Sequence, residues 1–187
     1  MKQIYVIEHL EKEVYPWCLM EYNSISKIVG QSNLWFTNIK QNSKAVRELK
    51  KYGKVIEKSV KDLDLKNSCV LDPEAKQTLV PKSAKKFKYF IFGGILGDYP
   101  PKKRTKKELT KFVKGKERNL GKKQFSTDNA VFVVHEITRG KALNKMEFKN
   151  KLIIKINNIE SVILPYYYPI VNGKPRISKE LLALIKC

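Results

Sequence analysis

Apolar residues occur along the chain in short runs, and the spacing inside each run separates strands from helices. Residues 3–10 (QIYVIEHL), 34–38 (LWFTN), 54–57, 68–71 (SCVL) and 89–92 (YFIF) are compact apolar runs of strand length. The run at 89–92 lacks polar alternation, as expected of a strand covered by helices on both faces of a parallel sheet. Between these runs the pattern turns helical. Pro16 fits the first turn of a helix running to about Val29, with Gly30 as its stop. Ser43 is placed to cap a helix over 44–52 that Gly53 ends. Ser126, Thr127 and Asp128 offer capping groups for a helix closing at Gly140, with Ala130, Val131, Val133, Val134 and Ile137 as its buried face. Two strands are predicted at 152–156 and 161–164, a turn at Asn172-Gly173, and a last helix over 179–186 capped by Ser178. Strands and helices alternate without internal repeats. The class expected is therefore α/β, with a mostly parallel sheet flanked by helices, in a single domain over 1–187.

One stretch breaks the pattern. From Tyr99 to Lys123 there are eleven lysines and arginines against Glu108 and Glu117, which is nine of the net charge of +20. It opens on Pro100-Pro101 and shows few residues that can pack, so it reads as a solvated basic linker over about 99–123 with one helix at 106–113. The whole-chain balance, 38 Lys+Arg against 18 Asp+Glu in 187 residues, attracts polyanions and makes RNA or a ribosomal surface the obvious partner class. Biased composition or thermal adaptation is the plainer explanation of the same charge. With 42% hydrophobic and 30% charged residues the chain is neither disordered nor membranous; its apolar stretches fall short of the ~18 residues of a span. Glu8, His9 and Glu11 interrupt the N-terminal apolar run, so no export signal is expected. Cys18, Cys69 and Cys187 are odd in number and scattered. They predict a reducing, cytoplasmic setting with neither disulfide framework nor metal site.

Ligands of open parallel sheets bind beyond the carboxyl ends of the strands. GGILGD (93–98), RNLGKKQFSTD (118–128) and ILPYYYP (163–169) are the segments that rule selects. GGILGD follows a strand but is not a dinucleotide fingerprint, because Phe92 stands where the first glycine would be, and no G-K-[ST] follows it. By itself the cluster is either a sharp structural turn or a ligand cradle. Carboxylates able to orient a cation and take up its proton are Glu8 and Glu11 near the first strand end, Glu21 in the first helix, and Asp98 beside the glycines. Asp128 has a capping role to explain it, and each of the others can equally be a surface ion pair. His9 shares the edge with Glu8 as a proton acceptor or a structural group, whereas His135 lies on the edge of a helix core. Arg104 and Arg118 can grip a carboxylate or phosphate or be solvated charge. Tyr166, Tyr167 and Tyr168 can stack a base or box a guanidinium, or alternate in a strand.

Taken together, VIEHLEKEVYPWCLMEY, the LDP at 71–73, FIFGGILGDYPPKKRT, RNLGKKQFSTD, SVILPYYY and NGKPRISKELL resemble the SPOUT (α/β-knot) methyltransferases over nearly the whole chain. Within them the chain is similar to the predicted S-adenosylmethionine-dependent RNA methyltransferases whose fungal member is a ribosomal-protein arginine methyltransferase. The resemblance implies a C-terminal deep trefoil knot and S-adenosylmethionine as cofactor. It places Gly93, Gly94, Leu96 and Gly97 in a first cofactor loop, and Asn119, Leu120, Gly121, Gln124, Ser126 and Thr127 in a second, with Arg118 beside it. Leu164, Pro165 and Tyr166 would form a third. Tyr167 departs from the family's arginine in that loop, and Phe125 stands where methionine is common. The activity implied is methyl transfer to an arginine of a ribosomal protein. An RNA acceptor is the alternative, and an inactive ribosome-associated binding protein on the same scaffold is a third reading. The basic linker would contact RNA, and the molecule is expected to be a monomer or a homodimer.

Overall fold

The computed structural model describes residues 2–41, 44–97 and 102–186. Its centre is a six-stranded sheet of β1 (Ile4–His9), β2 (Leu34–Thr37), β3 (Lys54–Val55), β4 (Ser68–Leu71), β5 (Tyr89–Gly94) and β6 (Lys116–Arg118). The spatial order is β3-β2-β1-β5-β4-β6 and every pairing is parallel. Alternation along β1 divides the core. Tyr5 and Ile7 face α1 (Pro16–Val29) and α5 (Thr127–Thr138), whose Tyr22, Ile25, Val131 and Val134 close that side. Ile4 and Val6 face the opposite layer with Val70 and Ile91. Phe36 and Phe90 are fully enclosed, and burial of each such side chain contributes about 1.5–3 kcal/mol.

Several predicted boundaries hold: α1 begins at Pro16 and stops at Gly30 (φ 82°), and α5 runs from Ser126 to a turn at Gly140 (φ 104°). α2 (Val46–Tyr52) ends at Gly53, where an added Cβ would lie 3.1 Å from the Leu34 carbonyl carbon. The predicted cap at Ser43 lies outside the described residues.

From residue 102 onward the basic segment folds onto the sheet and is not a solvated linker. After α3 (Pro81–Ala84) and β5, the chain forms α4 (Arg104–Glu108) and a 3-10 turn at Thr110–Phe112 where a single helix at 106–113 was expected. Leu109 is wholly buried against Val6, Val70 and Ile91, Thr110 is buried beside it, and Val113 packs on the same cluster. The chain then adds β6 to the edge of the sheet, pairing Cys69 with Lys116 and Leu71 with Arg118.

The C-terminal region also differs from expectation. The two short strands predicted there are the far ends of one antiparallel hairpin, β7 (Phe148–Lys155) and β8 (Ser161–Val171), with a bulge at Lys151 (φ 61°). β8 continues through Asn172 (φ 51°) and Gly173 (φ 73°), the left-handed pair of a tight hairpin turn, into β9 (Lys174–Pro175). α6 (Lys179–Lys186) follows, its Leu181 N–H donating to Ser178 Oγ at 3.1 Å. Ile154, Leu164 and Tyr168 form a separate small core with Trp17, Leu182 and Ile185, joining the hairpin to α1 and α6. No described helix is long and apolar enough to cross a membrane.

Candidate functional site

The strand order reverses direction at β1 and β5, whose ends lie side by side with His9 opposite Gly94. Beyond β5, β4 and β6 opens a cleft of about 380 Å³. Its walls are residues 71–74 leaving β4, Phe92, Gly93, Ile95 and Gly97 leaving β5, residues 102–105, and Arg118, Asn119, Leu120, Gln124, Phe125 and Thr127 leaving β6 and entering α5. Segments far apart in sequence thus meet because three neighbouring parallel strands end together.

The glycines divide by what they face. Gly93 is on the cleft, where an added Cβ would come nearest the flexible Ile95 Cδ1, at 3.0 Å, with Leu10 Cδ1 at 3.6 Å in ordinary contact. Gly94 points the other way, into the core. There a Cβ would run into the Tyr22 hydroxyl and lie 3.0 Å from Ile7 Cγ2. Gly97 is crossed by the Tyr166 ring, with Cζ 2.9 Å from where its Cβ would be, and the Tyr166 hydroxyl donates to the Gly97 carbonyl at 2.8 Å. The third segment therefore braces the first. It braces the second as well, since Tyr167 N–H donates to the Gln124 carbonyl at 2.9 Å. Leu164 is buried in the hairpin core and Pro165 lies within β8; neither lines the cleft. Tyr167, where arginine was expected, lies edge-on to Phe125, and Lys123 Nζ sits 3.8 Å from the Phe148 ring centroid and 5.6 Å from that of Tyr167.

In the second segment Leu120 is buried on the cleft wall, while Asn119 is occupied in holding the chain. Its Oδ1 accepts from Thr78 Oγ1 (2.8 Å) and from the N–H of Gly121 (2.9 Å), a glycine at φ 76°, and its Nδ2 donates to the Ala75 carbonyl (2.6 Å). Leu96 donates its N–H to Glu11 Oε1 at 2.9 Å, which fixes the first loop to the end of β1. Ser126 starts α5 without a side-chain cap; its hydroxyl donates to Asp128 Oδ1 at 2.7 Å.

The acidic candidates have different surroundings. Glu8 is fully buried and accepts from Thr37 Oγ1 (2.5 Å), Ser59 Oγ (2.5 Å) and Val60 N (3.0 Å), tying β1 and β2 to the loop after β3. It is absent from the cleft wall, so its hydrogen bonds account for it structurally. His9 is buried too, with Nδ1 2.8 Å from the Tyr22 hydroxyl and Nε2 without a hydrogen-bond partner among the described residues; burial lowers its pKa. Asp98 lies outside the described residues. Asp128 does not cap α5: its Oδ2 accepts from Arg176 Nη1 (2.8 Å) and from Ser24 Oγ (3.0 Å). Glu21 sits beside that pair, accepting from the Trp17 indole at 3.1 Å and lying within reach of Thr127, itself on the cleft wall. Burial, with the charge of Asp128 adding to it, pushes the Glu21 carboxyl up to about 8. Arg104 is held by Glu108 (2.8 Å) and Glu11 (2.7 Å), hydrogen bonds that raise its pKa further, Glu108's foremost.

Residues 71–74 were not singled out as site residues from sequence, although LDP is part of the resemblance. Asp72 is almost wholly buried on the cleft wall. Its Oδ1 accepts from Glu74 N at 2.8 Å; its Oδ2 makes no hydrogen bond among the described residues but lies 4.0 Å from Lys106 Nζ, an ion pair. The signal was present: an acidic residue directly after the apolar run SCVL occupies the carboxyl end of a parallel strand.

The family described as protein arginine N-methyltransferase SFM1-like matches residues 4–187 of the chain. Over 199 residues the chain is 35% identical to the protein arginine N-methyltransferase SFM1 of Saccharomyces cerevisiae, covering 97% of this chain and 93% of the yeast protein. The crystal structure of yeast SFM1 complexed with SAH matches at a TM-score of 0.89 and 34% identity, over 98% of this chain and 94% of that one. The complex with SAM matches at 0.89 and 33%, over 100% and 91%. A dual-specific Trm10 from Thermococcus kodakaraensis shares the fold at a TM-score of 0.61 and 20% identity, over 76% of this chain and 96% of that one.

Proposed function

Since the chain belongs to the SFM1-like family of protein arginine N-methyltransferases, we propose that it transfers a methyl group from S-adenosylmethionine to an arginine side chain of a ribosomal protein. The cleft suits such a donor. Leu71, Phe92, Leu120 and Phe125 offer apolar walls, Gly93 leaves room for close approach, and Asp72 adds a buried carboxylate on the wall, with Lys106 Nζ 4.0 Å from its Oδ2. When bound, S-adenosylmethionine supplies a methyl on a positively charged sulfur, open to in-line attack.

The protein's own part is to position the acceptor and remove its proton. An arginine is cationic to above pH 12, so its pocket needs buried carboxylate. The observation that carries the arginine reading is Glu21, enclosed one residue behind the cleft wall at Thr127 and beside a second carboxylate, Asp128. Asp128 is neutralised by Arg176. Glu21 has no cation among its hydrogen-bond partners, and an arriving guanidinium would supply one and draw its proton off.

The test is transfer of labelled methyl from S-adenosylmethionine into ribosomes from cells lacking the protein, followed by separate protease and ribonuclease digestion. The expected result is label released by protease only and recovered as methylarginine. A second reading, an RNA acceptor, is favoured by the cleft rim, where Lys102, Lys122 and Lys123 gather. It predicts label released by ribonuclease only.

A further inference from the structure

The fold sorts the cations of the 99–123 stretch into two groups. In its first half three of them are matched: Lys103 with Glu74 (2.8 Å), Arg104 with Glu11 and Glu108, and Lys106 with Glu117 (2.8 Å). In its second half, among the described residues, none makes an ion pair. Lys114, just before the edge strand β6, and Lys116, its first residue, meet Lys86, from the turn after α3, around an open groove of about 680 Å³. Ser68, Ser83, Phe87 and Arg118 are among its other walls, and no acidic residue is among the described residues that line it. Among the described residues none of these three lysines makes an ion pair, and all three are exposed. The chain from 75 to 97, which supplies one wall, contains no Asp or Glu. Arg118 lines both hollows, the groove at the start of β4 and β6 and the cleft beyond their ends. Its guanidinium is held by the Glu117 carbonyl (2.7 Å) and lies 5.7 Å over the Phe87 ring.

We propose that this groove binds the phosphate backbone of RNA and docks the protein beside its acceptor through that RNA. The docking clause rests on the arginine reading above; the binding clause does not. Lysine ammoniums are compact point charges on flexible stems, which can follow a line of phosphates without a fixed fork geometry, as binding to a nucleic-acid backbone requires. Lysines predominate here. A chain of +20 repels a basic protein over many ångströms, and a polyanion lying between the two reverses that sign.

The experiment is fluorescence anisotropy of the full chain with a labelled oligouridylate, over roughly 50 to 200 mM salt. The groove variant carries Lys86→Gln, Lys114→Gln and Lys116→Gln. A charge-matched control carries Lys145→Gln, Lys149→Gln and Lys155→Gln, exposed residues in and before the hairpin. Three lost phosphate contacts lower the slope of log affinity against log salt by about 2, at ~0.7 each for a single strand, and weaken binding on the order of tenfold or more. The control should keep the wild-type slope. Equal losses in the two variants would assign the affinity to the general field of the molecule and overturn the proposal. So would polyglutamate displacing the RNA at equal charge, which would mark a dock for an acidic protein. Methylation of a free arginine peptide should be unchanged in the groove variant. If no such peptide is methylated but the RNA slope falls as stated, the arginine reading fails and the groove stands.

Discussion

At Glu21 burial holds a proton that an ordinary glutamate would lose, and pH then decides what an arriving arginine meets. Below about pH 8 the group is neutral and offers the guanidinium no charge; above it the carboxylate is in place. Turnover on an arginine peptide at low substrate should therefore rise through about pH 8 and level off. Glu21→Gln should flatten that profile and slow transfer on the order of 10²–10⁴-fold, with S-adenosylmethionine affinity by calorimetry little changed. A rise with pH that survives in the variant would put the base elsewhere. Stability gives an independent reading. An unfolded Glu21 titrates near 4.5 and the folded one near 8, so the native state holds the extra proton between them. The contribution is fully present below pH 4.5 and is lost as pH climbs through 8. Urea midpoints should show Glu21→Gln gaining on wild type between pH 5 and 8. The neighbouring glycines supply a second contrast. Gly94→Ala drives a methyl into the Tyr22 hydroxyl and Ile7, and should destabilise the fold by about 1–3 kcal/mol in urea titration. Gly93→Ala presses mainly on the flexible end of Ile95, so it should lower cofactor affinity with a near wild-type midpoint. If Gly94→Ala kept full stability, that residue would belong to the cleft after all.

Among the elements, β9 reaches the site through one side chain. Arg176, just after it, donates to Asp128 and Asn129 on α5 (2.8 and 2.7 Å) and to Ser24 on α1 (2.6 Å), with its guanidinium 5.1 Å over Phe132. Arg176→Ala would leave Asp128 buried and unpaired next to Glu21, and should cost about 3–5 kcal/mol by chemical denaturation. A loss under 1 kcal/mol would mean that water replaces the arginine. Elements bounded by local chemistry were legible in the sequence: Pro16 and Gly30 around α1, Asn172-Gly173 between β8 and β9, Ser178 before α6. β6 was not, because Lys-Glu-Arg carries no apolar alternation and is a strand only through its backbone pairing with 69–71. Leu109 and Val113 were hidden for a related reason. They are isolated apolar residues among lysines, and the layer they cover is built by β1, β4 and β5. The hairpin was read as two fragments because Lys149, Asn150 and Lys151 interrupt its apolar pattern where the bulge turns the strand. The cleft was half legible: the segments after β5 and β6 were found by motif, while residues 71–74 join them only through strand order.

Over the whole molecule, net charge could be counted from the sequence but not located. Folding matches some of the cations of 99–123 to Glu11, Glu74, Glu108 and Glu117, and leaves others crowded at the β6 edge. Exposed pairs such as Lys103–Glu74 are worth little individually, whereas repulsion among unmatched lysines acts over the Debye length. That length shrinks from roughly 30 Å at 0.01 M salt to about 8 Å at 0.15 M. With +20 to screen, added sodium chloride should raise the urea midpoint over this range and then plateau. A midpoint that fell with salt would mean that attractive pairs outweigh the net charge. Oligouridylate in low salt should raise the midpoint as salt does, and the rise should shrink in the Lys86, Lys114 and Lys116 triple variant but not in its charge-matched control. That pairing separates neutralisation at one groove from screening everywhere, because dissolved salt acts on all the lysines and a docked polyanion only on those it touches.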